Sequence, residues 1–223
     1  MNQAHLLWQE RRSPSSFIES VWLSSALKST ARAVIADPCT SIALVKSGDY
    51  GETVMVMGPK TKPRQQLLSA GHTCMTIRLT PGVFLNNFQT YKFTDTSVAL
   101  PTDDKARFRL GKDRFEFPGF DHAERLIEDL FTRGHLGFES PQNVYKQSHR
   151  TYARQIKRIT GLSPYKLYQL QRMHQALRLL QQGVTAADVA IELAFTDQAH
   201  FIHASKRFFG YTPGRLNQLL QSP

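Results

Sequence analysis

Cysteine is scarce in this 223-residue chain, which has Cys39 and Cys74 and no Cys-x-x-Cys pairing. Two isolated thiols make no disulfide framework, so the spacing predicts a reducing compartment, and a cytoplasmic location is expected. Long apolar runs are missing as well. No stretch nears the roughly 18 residues of a membrane span. The opening MNQAHLLWQERRSPSS has no apolar core behind a basic leader, so neither a membrane nor a secreted protein is expected. The marks of catalysis are missing too: there is no phosphate-cradling glycine loop, no HExxH and no paired carboxylates in an active-site pattern. No enzyme, metal or cofactor chemistry is therefore expected.

The last shortage is local. From residue 140 to 223 the chain has three acids (Asp188, Glu192, Asp197) against eleven Lys and Arg, a net of +8. The first 139 residues carry 17 basic against 15 acidic residues, so one end of the chain holds nearly all of the total of +10. Such an imbalance points to nucleic acid or another anionic surface. A solvated basic tail is ruled out by the apolar periodicity of the same region.

With 41% hydrophobic and 21% charged residues, what is present belongs to a folded chain. RAVIAD, SIALVKSG, ETVMVMGP and TCMTIRLTPG are short β-branched or apolar runs separated by Gly, Pro and Asp, and they predict strands. Residues 47–51 (SGDYG) fit a hairpin connection between two of them. A helix is expected over Ser15 to Leu27. The charged, Gly- and Pro-broken stretch after Pro101 carries the expected boundary: a β-rich domain over 1–112, a linker over 113–120 and a helical domain over 121–223.

Beyond that boundary the period becomes helical. DHAERLIEDLFTRG puts Ala123, Leu126, Ile127, Leu130 and Phe131 on one face. Ser148 caps a helix with Tyr152, Ile156 and Ile159 inward, ending at Gly161. Ser163-Pro164 opens a long helix carrying Leu167, Leu170, His174, Leu177 and Leu180, in which His174 reads as a packing residue. Arg172 and Arg178 of the same helix are expected to pair with acids on neighbouring helices, Glu192 among them. Thr185 and Asp188 form a capping pair. Asp197 caps a helix with Phe201, Ala204 and Phe208 inward and Gly210 as its stop, and Thr212-Pro213 starts a last short one.

If those stripes are buried, Arg150, Arg154 and Lys157 share the outer face of the first basic helix, with Thr151 beside them. Ala199, His200, His203, Lys206 and Arg207 share that of the second. The helix between them, read as Ser163 to Gln182, is about 30 Å long at ~1.5 Å per residue. Major grooves recur on one face of B-DNA about every 34 Å, so a rigid spacer of this length suits two reading helices in adjacent grooves. Arginine reads guanine edges bidentately, while Lys, Arg and helix N-termini grip phosphates.

The stretches SHRTYARQIKRITGLSP, RMHQALRLL and TAADVAIELAFTDQAHFIHASKRFFGYTP resemble, in this order, the DNA-binding domain of the AraC/XylS family of bacterial transcription regulators. The resemblance covers residues 148 to 216. It implies two helix-turn-helix units on a shared linker helix and the function of a sequence-specific transcription regulator of double-stranded DNA, with RNA polymerase as a further partner. It assigns base reading to Arg150, Arg154, Ala199, His200 and His203, with Thr151 alongside, and phosphate contacts to Lys157, Thr185, Lys206 and Arg207. The chain departs from the family pattern at His203 (usually Arg), Ser205 (usually a buried Phe) and Ala194 (usually the turn Gly). The leading helix of the first unit, around SPQNVYKQ, is short and its turn lacks glycine. FIESVW, MGP and IRLTPG resemble a small cupin-like β domain found ahead of this module. That resemblance implies an α+β chain whose first domain binds a small-molecule effector or mediates homodimerisation.

Other readings of the same residues stay open. His72 and Cys74 have the alternation of a metal or thiol–imidazole pair on a strand, the start of an enzyme or metal-binding barrel targeted by the basic helices, but a zinc site needs three or four ligands. His200 and His203, three apart on a helix, have ligand spacing too. The basic helices would also suit an acidic protein partner without DNA.

Overall fold

In the computed structural model, residues 5–47, 51–86, 88, 93–103, 106–139 and 148–221 are described. The chain opens with β1 (Leu6–Arg11), β2 (Ile18–Ala26), β3 (Thr30–Val34), β4 (Ser41–Ser47), β5 (Gly51–Met57), β6 (Arg64–Leu68) and β7 (Thr73–Leu79). There follow β8 (Val83–Leu85), β9 (Ser97–Ala99), β10 (Thr102–Asp103), β11 (Arg107–Leu110), β12 (Asp113–Glu116), α1 (Ala123–Thr132) and β13 (Leu136–Phe138). A six-stranded antiparallel sheet has the order β1-β2-β7-β4-β5-β9. Smaller ribbons pair β3 with β6, β8 with β13, and β10 through β12.

Alternation decides the two faces of this sheet. Val21 opposes Ile77, and Ile77 opposes Ile42, so the large β-branched side chains stack on one face. They form a core with Val54, Val56, Phe108, Phe115 and the α1 stripe Ala123, Leu126, Ile127 and Leu130. On the other face Ser24 opposes Cys74, Trp22 opposes Thr76 and Ser20 opposes Arg78. That face is polar, and most of its side chains are buried. The β3–β6 ribbon reaches it through Arg32, whose Nη1 donates to Ser24 Oγ at 3.1 Å.

The expected order, β-rich then helical, is the order of the structure. Two expectations are corrected. The Ser15–Leu27 helix is the strand β2, because Val21 and Leu23 alternate with Ser20, Trp22 and Ser24 at period two and pair with β7. The 113–120 linker is also displaced: β12 occupies Asp113–Glu116 and pairs with β11, and α1 packs into the β-rich core. Arg11 ties β1 to α1 through a bidentate pair with Glu124 at 2.8 and 2.9 Å. Hydrogen bonds from Arg11, with a further one from Ser13, hold the Glu124 carboxyl down at about 2 against the opposing effect of burial. By packing, α1 and β13 go with the β-rich part, β13 through its pairing with β8. The segment 140–147, where the leading helix of the first unit is expected, lies outside the described residues, as does the tip of the expected 47–51 hairpin. That hairpin's flanks pair, Ser47 with Gly51.

The helical part comprises α2 (His149–Thr160), α3 (Pro164–Gln181), α4 (Ala186–Glu192), α5 (Gln198–Phe209) and α6 (Pro213–Gln221). Its core joins Ile156, Ile159, Leu170, Met173, Leu180, Val189, Phe201 and Phe209, and takes in the fully buried Ala36 of the β-rich domain, with Ile35 and Phe84 packed against it. Ala36 N–H donates to the Phe208 carbonyl at 2.9 Å, and the Ala36 carbonyl accepts from His174 Nε2 at 2.7 Å. His174 is thus a satisfied packing residue, as expected, but its partner comes from the other domain. Among the described residues no helix is long and apolar enough to cross a membrane.

Candidate nucleic-acid interface

Each helix that presents a basic face is fixed at both ends by its own sequence. At α2, Ser148 Oγ accepts the Thr151 N–H at 3.3 Å, and Gly161 closes the helix at φ 74°, a left-handed position that glycine adopts without strain. At α5, Asp197 Oδ1 accepts the His200 N–H at 2.7 Å, and Gly210 closes the helix at φ 81°. Between them α3 has 18 residues, because Ser163 and Gln182 are its caps and not part of it. Its length is therefore about 27 Å.

The inward stripes set which side chains face out. On α2, Ile156 and Ile159 are buried and Tyr152 is half-buried, leaving Arg150, Arg154 and Lys157 exposed and Thr151 half-exposed. None of these three cations has an ion pair among the described residues. Arg158 and Gln155 instead turn to Glu139, Arg158 Nη2 lying 2.6 Å from its carboxylate. On α5, Phe201, Ala204, Ser205, Phe208 and Phe209 are buried, while Ala199, His200, His203, Lys206 and Arg207 are exposed.

His200 packs edge-on to Phe195 with ring centroids 5.3 Å apart. Its Nδ1 accepts from the Thr196 N–H at 3.4 Å and lies 3.3 Å from the Thr196 hydroxyl. That arrangement leaves the ring proton on Nε2, a donor suited to purine N7 or guanine O6. Thr185 behaves differently. Its Oγ1 accepts the Asp188 N–H at 3.2 Å and donates to Asp188 Oδ2 at 2.6 Å, so the hydroxyl is committed to capping α4.

Several parts of the second unit are not legible in the sequence. Arg172 and Arg178 do not take the acids expected on neighbouring helices. Arg172 Nε instead donates to the Leu193 carbonyl at 2.8 Å, and its guanidinium lies 3.7 Å from the Phe195 ring centroid, fastening the α4–α5 turn to α3. Arg178 pairs with Glu19 of the β-rich domain at 3.2 Å. Ser205, where the resemblance implies a buried Phe, is fully buried and donates to the Tyr211 carbonyl at 2.7 Å. The polar group is therefore satisfied, and it ties α5 to the turn before α6.

Ala194, where the resemblance implies a turn glycine, has φ 53°. A Cβ in this region costs about 1 kcal/mol or more, which exceeds the extra chain entropy that glycine brings to the unfolded state. Ala194→Gly is expected to raise the unfolding free energy by about 0.5 to 1 kcal/mol. Urea denaturation of the two proteins measures this directly.

The β-rich domain touches the helical domain at the C-terminal ends of both basic helices. Thr94 Oγ1 donates to the Gly161 carbonyl after α2 at 2.9 Å, and Ala36 N–H to the Phe208 carbonyl of α5. Their N-terminal turns stay open to solvent. His72 is buried with Nε2 lacking a hydrogen-bond partner, while Cys74 Sγ lies 3.4 Å from Thr76 Oγ1. Among the described residues no group of three His, Cys, Asp or Glu side chains is placed to hold a metal ion.

Residues 136–218 match a family described as a helix-turn-helix domain. The chain is similar to the HTH-type transcriptional activator RhaS of Enterobacter sp. strain 638, with 31% identity over 93 residues, 41% of this chain and 33% of that protein. It is similar to RhaS of Escherichia fergusonii at 29% over 99 residues, 44% of this chain and 35% of that one. The matches therefore span about a third of the length of these curated relatives. Among solved structures, ToxT from Vibrio cholerae superposes with a TM-score of 0.48 at 10% identity, covering 96% of this chain and 99% of that one. The part of the chain that holds α2 to α6 is thus similar to a helix-turn-helix domain and to part of these transcriptional activators.

Proposed function

We propose that the protein is a sequence-specific DNA-binding transcription regulator that inserts the N-terminal halves of α2 and α5 into adjacent major grooves of one duplex. The observation that carries this reading is the pair of open basic faces. Arg150, Arg154 and Lys157 on one helix and His200, His203 and Lys206 on the other are exposed, while the β-rich domain packs at the opposite ends of both. Arg150, Arg154, Ala199, His200 and His203 read base edges, with Thr151 beside them. Lys157, Lys206, Arg207 and the amide end of the α4 cap at Thr185 meet phosphates.

Selection of bound duplexes from a random pool at about 150 mM salt tests it. The expected result is a motif of two short blocks about one helical turn apart. Arg150→Ala or Arg154→Ala is then expected to cost about 1 to 3 kcal/mol and relax preference within one block. Lys157→Ala is expected to weaken all duplexes alike and lower the salt slope by about one. No enrichment of any motif, or indifference of binding to all three changes, refutes the assignment.

A small effector is supported by a separate observation. A cleft of about 520 Å³ between the domains is lined by Glu19, Arg78, Tyr168, Arg172, Arg178 and Glu192, and Arg172 Nη2 is buried without a hydrogen-bond partner. A polar ligand there would touch both the sheet and the helix that spaces the two reading units.

A further inference from the structure

We infer that the β-rich domain itself grips DNA: Lys62, on the segment leading into β6, and Arg64, the first residue of β6, join Lys166 and Arg207 in one cationic surface that binds backbone phosphates beside the block read by α5. This rests on the DNA-binding reading above and extends its footprint to the other domain.

The surface is put together by the docking of the two domains. The 60–64 segment lies against the C-terminal end of α5, where a methyl group added to Gly210 would stand 3.5 Å from Pro63 Cβ. The same end of α5 accepts the Ala36 N–H at Phe208, and the backbones of Asp37 and Lys60 bond each other at 2.8 Å in both directions. The segment is thus anchored from both sides. Phe208 organises the helical half of the surface: Lys166 Nζ lies 4.8 Å from its ring centroid and Arg207 Cζ 5.6 Å. Lys62, Arg64 and Arg207 are exposed and Lys166 is half-exposed.

Among the described residues none of the four cations forms an ion pair. The nearby acid, Asp95, is bound by Thr61, accepting from its N–H at 2.7 Å and its Oγ1 at 2.6 Å. Burial and the neighbouring charges of Arg207 and Lys62 push the Lys166 ammonium below its ordinary value, opposed by Asp95. Four cations that form no ion pair among the described residues, with the single carboxylate of Asp95 nearby, leave a net positive excess that is a cost in the free protein and that a polyanion relieves. Continuity selects the polyanion. Arg207 adjoins Lys206 on the helix whose first turns carry His200 and His203, so a duplex lying on that face runs past the patch. Phosphodiesters need only unpaired cations at that point, with no shape or sequence reading.

The experiment uses the full chain and the duplex recovered by selection, with affinity measured from about 50 to 300 mM salt. For Lys62→Ala/Arg64→Ala, the salt slope is expected to fall by about 1.8, or 0.9 for each lost phosphate contact, with base preferences unchanged. Arg64→Lys, which keeps the charge, should retain the wild-type slope. Ethylation interference should show contacts flanking the α5 block that the double variant loses. If the double variant keeps the wild-type slope while Arg154→Ala still weakens binding, the inference falls and the DNA-binding reading stands. The inference falls in the same way if affinity drops with an unchanged slope, which marks an effect through domain docking. It falls too if the double variant loses binding to an acidic protein but not to DNA. If the wild-type chain selects no duplex, both fall.

Discussion

Replacing Arg78 by alanine is expected to lower the unfolding free energy by about 3 to 5 kcal/mol, the loss typical of leaving a buried charge without its partner. Arg78 stands on the polar face of β7, and it and Asp37 are each about 5% exposed. Its Nε and Nη2 hold the two Asp37 oxygens at 2.8 Å each, its Nη1 donates to Ser20 Oγ at 3.0 Å, and its guanidinium lies 4.4 Å from the Trp22 ring centroid. Burial alone would push Asp37 up. The charge of Arg78, aided by His174, overrides burial and holds the carboxyl well below its usual range.

A carboxyl depressed in the folded state contributes stability above its unfolded value near 4 and loses it as pH falls below that. In Arg78→Ala the buried Asp37 instead favours its protonated form, so the gap between variant and wild type should narrow as pH falls from 7 toward 4, where the variant gains, and further below about pH 4, where the wild type loses. Urea denaturation at pH 7 and at pH 3.5 checks both statements. A loss under 1 kcal/mol at pH 7, or a gap that widens in acid, contradicts them. Asp37 follows Ala36, the residue that plugs the helical core, so the variant should also loosen domain docking. Adding Asp37→Ala should restore part of the stability by removing the stranded charge.

Phe201→Ala is expected to cost about 3 to 5 kcal/mol by a different route, the opening of a cavity. Phe201 is fully buried, 5.0 Å from Phe195 between ring centroids, and it begins the inward stripe that seats α5. Phe195 in turn carries the Arg172 guanidinium and the His200 ring. Losing Phe201 should therefore unseat the turn and the first face of α5 together. The expected result is a lowered urea midpoint together with loss of the α5 block from the selected motif. Arg154→Ala gives the contrast, with weaker DNA binding at an unchanged midpoint. Retention of both sequence blocks by Phe201→Ala would mean that α5 is seated by Phe208 and Phe209 alone.

The helical half is legible in the sequence because its signals are short-range. Ser148, Asp197, Thr185 and the two closing glycines act within one turn of their helices, and the apolar stripes of α2, α3 and α5 repeat every three or four residues. The strands β4, β5 and β7 are legible from β-branched runs. Segment 15–27 passes for a helix because Ile18 and Val21 are three apart, a helical spacing that the strand absorbs through a register shift between Ile18 and Ser20 in its pairing with β7. A boundary at 113–120 is suggested by composition but is misplaced, because a helix stripe such as that of α1 says that it will be buried, and not against which domain.

The sequence by itself determined the order of a β-rich and a helical part, the helix ends, the basic faces of α2 and α5 and the charge imbalance between the two halves. Each of these depends on residues within a turn or two of one another, or on composition alone. Tertiary structure alone decided that α1 packs with the sheet, that Ala36 enters the helical core, that Asp37 meets Arg78 across 41 residues and that the segment carrying Lys62 and Arg64 lies against the end of α5 at Gly210. Such partners are chosen by shape and charge after the chain has closed loops of tens to more than a hundred residues. No local period records that choice, because the entropy of closing a loop depends only weakly on its length and not on the identity of the residues that meet.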